Sequence, residues 1–156
     1  MVTTNAMRQL TAAGISFEVR EYPVDESDLS GVHIAEALEI DPDCMFKTLV
    51  ARGDKKGISV FCIPAAEELD LKACAVLTGD KKIEMVAVKE LLGLTGYIRG
   101  GCSPVGMKKS YPTYMDETAL LWDRIYVSAG VRGAQLCISP VTLGAFVGIQ
   151  FASLIK

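Results

Sequence analysis

Apolar and polar positions alternate with a period of two over residues 15–22: Ile15, Phe17 and Val19 fall on one side, and Ser16, Glu18 and Arg20 on the other. That period predicts a half-buried strand. Tyr22 closes it on the polar side, where a ring either covers surface or walls a pocket. Before it, Met7, Leu10 and Ala13 share one helical face, with Thr4 placed to cap the helix and Gly14 to end it. Residues 46–51 read as a strand with Lys47, Leu49 and Ala51 on one face and Thr48 and Val50 on the other. A lysine in register with core residues must reach out to solvent or find a partner. A charged turn at 53–57 leads to the apolar run 58–63, which suits a central strand stopped by Pro64.

Helical spacing recurs at 32–40, burying Ile34, Ala37 and Leu38, and at 71–77, where Asp70 is the cap and Gly79 the stop. Asp41-Pro42 opens a turn through Met45. Further strands are expected at 83–88, at 111–115 as a short edge strand, and at 125–128 and 136–138 around the loop 129–133. One or two helical turns fall at 89–94, and Ser139-Pro140 opens a last helix at 141–146 or beyond. Strands outnumber helices, and most sequence neighbours can pair antiparallel. The expectation is an α+β fold, one domain over residues 1–156, with a central mixed, largely antiparallel sheet flanked by helices.

Composition narrows the function. A chain of 156 residues, half of them hydrophobic, with mean hydropathy +0.30, can fill one sizeable core. A net charge of −3 argues against broad non-specific DNA binding but leaves room for a local basic patch. The five cysteines include no CxxC pair, which favours a reduced, cytosolic chain over a disulfide framework or a zinc site. The N-terminus shows no apolar signal region, and residues 141–155 are too short and too interrupted for a membrane span. No cofactor fingerprint or Walker loop occurs. His33, the single histidine, lies off the apolar face of its helix, so a serine–histidine–acid triad has little to stand on.

The least ordinary stretch is residues 96–109. Tyr97, Ile98 and Arg99 look like a strand end; Gly100-Gly101 then frees the backbone, Pro104 removes a donor and holds Ser103 extended, and Lys108 and Lys109 follow. Such a loop can be a plain turn, or it can bring bare N–H groups to a ligand's oxygens. Cys102, with Arg99 close in sequence, is the best-placed thiol. Ser103 and Ser128 are hydroxyls without an evident base unless Lys47 is neutral and close. Glycine loops, a lysine and few general bases suit the polarisation of an already activated acyl group, such as an aminoacyl ester.

Four segments stand in a characteristic order: Lys47-Thr48-Leu49; Leu69-Asp70-Leu71-Lys72; Gly96-Tyr97 with Gly100-Gly101-Cys102-Ser103-Pro104-Val105-Gly106 and Lys108-Lys109; and Tyr126-Val127-Ser128-Ala129-Gly130 with Arg132-Gly133. With them the chain resembles, over essentially its whole length, the YbaK/EbsC family of free-standing Cys-tRNA(Pro) deacylases, relatives of the editing domain of bacterial prolyl-tRNA synthetase. The resemblance implies an enzyme that needs no cofactor or metal and clears mischarged tRNA(Pro) in trans. Its partners would be the aminoacyl-tRNA 3′ acceptor end and prolyl-tRNA synthetase, with no DNA and no membrane. It implies that Lys47 positions the tRNA 3′ end and that Gly101 supplies an oxyanion donor. Tyr22, Thr48, Gly100, Cys102, Ser103, Pro104, Ser128 and Gly130 would line the pocket. The substrate's own thiol would attack its ester and leave as a cyclic thiolactone. Lys55, Lys56, Lys108 and Lys109 are either phosphate contacts or solvated turn residues. The chain departs from the family pattern at Leu29-Ser30, where an aromatic residue is usual, at Cys102, where isoleucine is common, and at Gln135, where an aspartate is expected. Two rivals remain: a non-catalytic relative that binds tRNA or a synthetase, and a thiol enzyme built on Cys102.

Overall fold

The computed structural model describes residues 3–156. The chain runs α1 (Asn5–Ala12), β1 (Glu18–Glu21), α2 (Gly31–Ala37), β2 (Phe46–Gly53), β3 (Gly57–Pro64), α3 (Leu71–Thr78), β4 (Ile83–Met85), α4 (Val88–Thr95), β5 (Thr113–Asp116), β6 (Ile125–Ser128), β7 (Ala134–Ile138), α5 (Pro140–Val147) and β8 (Ile149–Ala152). The expected caps form. Thr4 accepts from the Met7 amide, Asp70 from Lys72 and Ala73, and Ser139 from Thr142, each satisfying a helix-start N–H that would otherwise lack a partner. Thr4 also donates its hydroxyl to the Ala129 carbonyl at 2.5 Å, so the first helix is tied to the loop after β6.

The strands form an α+β fold in two sheets. In the smaller, β1 and β6 both pair antiparallel with β7. In the larger, the order is β4-β2-β3-β5-β8. There β2 and β3 make a hairpin from Phe46↔Pro64 to Gly53↔Gly57, and β4 pairs antiparallel with the end of β2. The β3–β5 and β5–β8 pairs are parallel. Residues 113–116 therefore form an interior strand, not the edge strand expected from sequence, because β8 covers their outer side. The last strand was not foreseen. Gly148 at φ 83° ends α5 and turns the chain into β8. Buried Asp116 then accepts the Leu154 amide at 2.9 Å, fixing the tail. Tyr97–Arg99 is likewise not a strand end. It leads into a turn in which the Gly101 amide donates to the Ile98 carbonyl at 2.9 Å.

Each face of β2 and β3 covers a different core. Phe46, Val50, Val60 and Cys62 meet Leu10, Val127 and Leu136. Ala51, Phe61 and Ile63 meet Cys74, Ala75 and Leu154, with the Phe61 and Tyr114 rings stacked at 5.4 Å. Lys47 and Leu49 alternate onto this second face, as the sequence reading requires. Among the described residues, no helix is long and apolar enough to cross a membrane.

Candidate functional site

The two sheets meet at a single parallel bridge, Met45↔Tyr126. Two residues further along each strand stand Lys47 and Ser128, and both line a cleft of about 490 Å³. The cleft is the wedge that opens where β2 and β6 diverge. On this side β2 is paired again only from Ala51, where β4 begins, so residues 46–50 form one wall. The other walls come from the start of α2 with the loop before it, from Met85 to Leu91, and from Arg99, Gly100 and Cys102. Gln135 also lines it.

Lys47 is half-buried. Burial lowers its pKa from the ordinary lysine value of 10.5, and the charges of Glu68 and Glu67 only partly oppose that. None of the ion pairs among the described residues includes Lys47. The strand thus carries an amine to the cleft and provides it no bonded carboxylate, an arrangement suited to an anionic or oxygen-rich ligand. Arg99 adds a second cation to the lining. Asp28 is the only carboxylate in it among the described residues; its oxygen accepts the Ser30 amide at 3.0 Å. Contacts from Ser30 hold Asp28 below the usual carboxylate range, which makes it a poor general base.

Five of the residues expected in the pocket come together here: Lys47, Thr48, Gly100, Cys102 and Ser128. The others do not line it. Tyr22 packs against the buried cluster that includes Ile34, Met45 and Ala65, three residues of the wall. Ser103 is fully buried, and its hydroxyl accepts the Val105 amide at 3.2 Å. Pro104 lines a separate hollow of about 190 Å³ together with Lys109. The Gly101 N–H, expected as an oxyanion donor, donates to the Ile98 carbonyl at 2.9 Å. What Gly101 supplies is closeness: a Cβ there would sit 3.1 Å from the Val131 and Arg132 backbone. Gly130 does the same on the other side, where a Cβ would meet the Tyr97 ring at 2.8 Å. The two glycine loops interlock, and the Arg132 guanidinium clamps them by donating to the Arg99 carbonyl at 2.8 Å.

The chemistry of the lining side chains is restrained. Burial pushes the Cys102 thiol up to about 11, opposite to the shift an activated nucleophile needs. The Ser128 hydroxyl accepts the Gly130 amide at 3.2 Å. His33 sits beside Asp25 and Asp28, at 3.9 and 3.8 Å, and does not line the cleft. Among the described residues, no three groups could together hold a metal ion. Sequence reasoning did not list Gln135, Arg99 or the apolar wall Met85–Leu91 as site residues. Position along the chain gives no signal for the last, since β4 and α4 reach the cleft only through pairing with the end of β2.

Residues 30–146 match the aminoacyl-tRNA editing domain family. The chain is 45% identical over 151 residues to EbsC of Enterococcus faecalis, a protein assigned as a Cys-tRNA(Pro)/Cys-tRNA(Cys) deacylase; the match covers 97% of this chain and 92% of the relative. Among solved structures, one assigned as a trans-editing enzyme for prolyl tRNA synthetase matches with TM-score 0.86 at 28% identity, over 100% of this chain and 99% of that one. Hypothetical protein APE2540 matches with TM-score 0.89 over 98% and 100% of the two chains, and at 22% identity it speaks to the fold alone. With a family match over residues 30–146 and a relative 45% identical over 97% of its length, the chain belongs to the aminoacyl-tRNA editing domains, in the YbaK/EbsC family.

Proposed function

We propose that this protein removes the amino acid from mischarged tRNA(Pro), with Cys-tRNA(Pro) as its principal substrate. The observation that carries the reading is Lys47: a half-buried amine in the cleft, with no ion-pair partner among the described residues. With Arg99 it gives the cleft lining two cations against the one carboxylate of Asp28, while Glu68 and Glu67, outside the lining, partly offset the charge of Lys47. That balance favours the phosphate and ribose oxygens of a tRNA 3′ end. Cysteine and proline are close in size, and shape alone discriminates them by only about 1–3 kcal/mol, so a second site that clears the error is needed.

The ester is already activated, and the cleft needs to supply only orientation and charge stabilisation. Lys47 holds the terminal ribose. The cysteinyl thiol attacks its own ester carbonyl, forming the C–S bond of a thiolactone. The ester C–O bond breaks, and the thiol proton passes to the departing ribose oxygen. Since the Gly101 amide is committed, we assign the oxyanion donor to the next residue: the Cys102 amide meets no acceptor among the described residues. A donor of that kind lowers the barrier by about 3 kcal/mol. The raised thiol pKa of Cys102 and the poor basicity of Asp28 favour a substrate-assisted route over an enzyme nucleophile.

The test incubates the protein with Cys-tRNA(Pro) and Pro-tRNA(Pro) and follows both ester loss and the sulfur product. Selective loss of cysteine with a cyclic thioester as first product is expected. Equal slow loss from both tRNAs, or tight binding without faster loss, contradicts the proposal.

A further inference from the structure

Gln135 is 4% exposed, lines the cleft, and its Oε1 has no hydrogen-bond partner among the described residues. It sits mid-strand in β7, opposite Arg20 of β1 and Ser128 of β6. Both cross-strand neighbours carry donors, and neither serves it. The Arg20 guanidinium donates to the Leu38 carbonyl at 3.1 Å, while the Ser128 hydroxyl accepts the Gly130 amide at 3.2 Å and makes no hydrogen bond to Gln135. Its strand neighbours Ala134, Leu136, Cys137 and Ile138 are all buried, so a leucine would fit the local pattern. A buried acceptor without a donor is destabilising, and such groups persist where a ligand completes them.

We propose that Gln135 Oε1 is the cleft's acceptor for a hydrogen donor on the aminoacyl group, either the α-amino N–H or a side-chain S–H or O–H. This rests on the aminoacyl-tRNA reading above and adds to it a specificity-determining residue. A neutral carboxamide selects for the presence of a donor rather than for charge. It also disfavours proline, whose ring nitrogen carries fewer N–H bonds and whose side chain carries no donor.

The experiment measures binding, which separates it from the deacylation test. An acceptor-stem RNA ending in 3′-amino-3′-deoxyadenosine is joined through a stable amide to a cysteinyl, alanyl, 3-mercaptopropionyl or propionyl group. Wild-type protein should bind the cysteinyl form at least about ten-fold more tightly than the propionyl form. Gln135→Leu should erase that difference, and Gln135→Glu, which keeps the acceptor, should retain it. If the donor is the amine, the alanyl form follows the cysteinyl; if it is the side chain, the 3-mercaptopropionyl form does. Gln135→Leu should also raise the melting temperature, by about 2–4 °C, because it removes an unsatisfied polar atom. Equal weakening of all four ligands by Gln135→Leu overturns the assignment, as does no preference in the wild type, failure of Gln135→Glu to behave differently from Gln135→Leu, or a melting temperature that stays level or falls. A protein that binds with the expected pattern yet releases no amino acid from the ester leaves Gln135 in this role and removes the deacylase reading instead.

Discussion

Replacing Gly130 with alanine tests whether the interlocked loops hold the cleft. Gly130 has φ +96°, and a Cβ built on it lies 2.8 Å from Tyr97 Cε1, closer than such contacts ordinarily come. Tyr97 is 7% exposed and its hydroxyl donates to the Val105 carbonyl at 2.5 Å, so the ring is held at both ends. A side chain in the left-handed region costs about 1–2 kcal/mol. Forcing an extra methyl into a packed site costs about 1–3 kcal/mol more. The sum, about 2–5 kcal/mol, is a large share of the about 5–15 kcal/mol that stabilises a typical domain. For a chain of this size it lowers the melting temperature by about 4–20 °C. Urea titration of Gly130→Ala, Tyr97→Leu and the double variant separates the two contributions. The contact between the methyl and the ring appears as the interaction energy of the cycle, while the backbone cost survives in the double variant. A single variant within about 1 kcal/mol of wild type, with unchanged slope, refutes the reasoning.

Burial lowers the Lys47 pKa below 10.5, so its positive form is lost earlier than that of a free lysine as pH rises. The KM for charged tRNA, corrected for spontaneous ester loss, should therefore climb at alkaline pH before 10.5; a KM flat to that point contradicts a charged anchor. Cys102→Ser should keep deacylation of Cys-tRNA(Pro) within about ten-fold, an activity loss below about 1.4 kcal/mol, and abolished turnover would restore the thiol-enzyme reading. All five cysteines are buried, so a disulfide exchange reagent should find almost no fast thiol in the native protein and all five after denaturation. Asp80 accepts the Lys55 and Lys56 amides at 2.9 and 2.7 Å and the Thr78 hydroxyl at 2.6 Å. These bonds, the Thr78 hydroxyl first, hold its carboxyl below its ordinary 3.8. The stability it contributes is full above that value and lost as pH falls through the lower folded value. Asp80→Asn should thus flatten the acid limb of the urea-midpoint profile below about pH 4, and an unchanged limb would assign acid sensitivity elsewhere.

What could be read from the chain was what depends on near neighbours. The two-residue period of residues 15–22 does pack Ile15, Phe17 and Val19 against the main core. The caps at Thr4, Asp70 and Ser139 form because each needs only the next two or three amides. Illegible features were those set by distant contacts. Nothing local announces that β5 lies parallel between β3 and β8. Nor does a turn of paired glycines reveal which amide it spends, and here Gly101 donates to Ile98 while Cys102 reaches the cleft. The site divides in the same way. Lys47 and Thr48 reach the cleft because the edge of β2 away from β3 is unpaired there, and Ser128 because β6 diverges from it. Gln135 shows in sequence as a departure from the family pattern, where an aspartate is expected, just ahead of the apolar run 136–138. Its importance rests on a carboxamide oxygen that neither Arg20 nor Ser128, its cross-strand neighbours, satisfies, which no spacing rule can report.

Single-turnover release of cysteine from Cys-tRNA(Pro) by wild type, Lys47→Met and Lys47→Arg reads the role of the amine most directly. A charged hydrogen bond to the ribose or phosphate contributes about 1.5–3 kcal/mol. The account therefore predicts a loss of about 10- to 150-fold in kcat/KM for Lys47→Met, together with weaker dependence on salt. Lys47→Arg should recover part of the loss. Release by Lys47→Met at the wild-type rate, with an unaltered salt slope, would contradict the account.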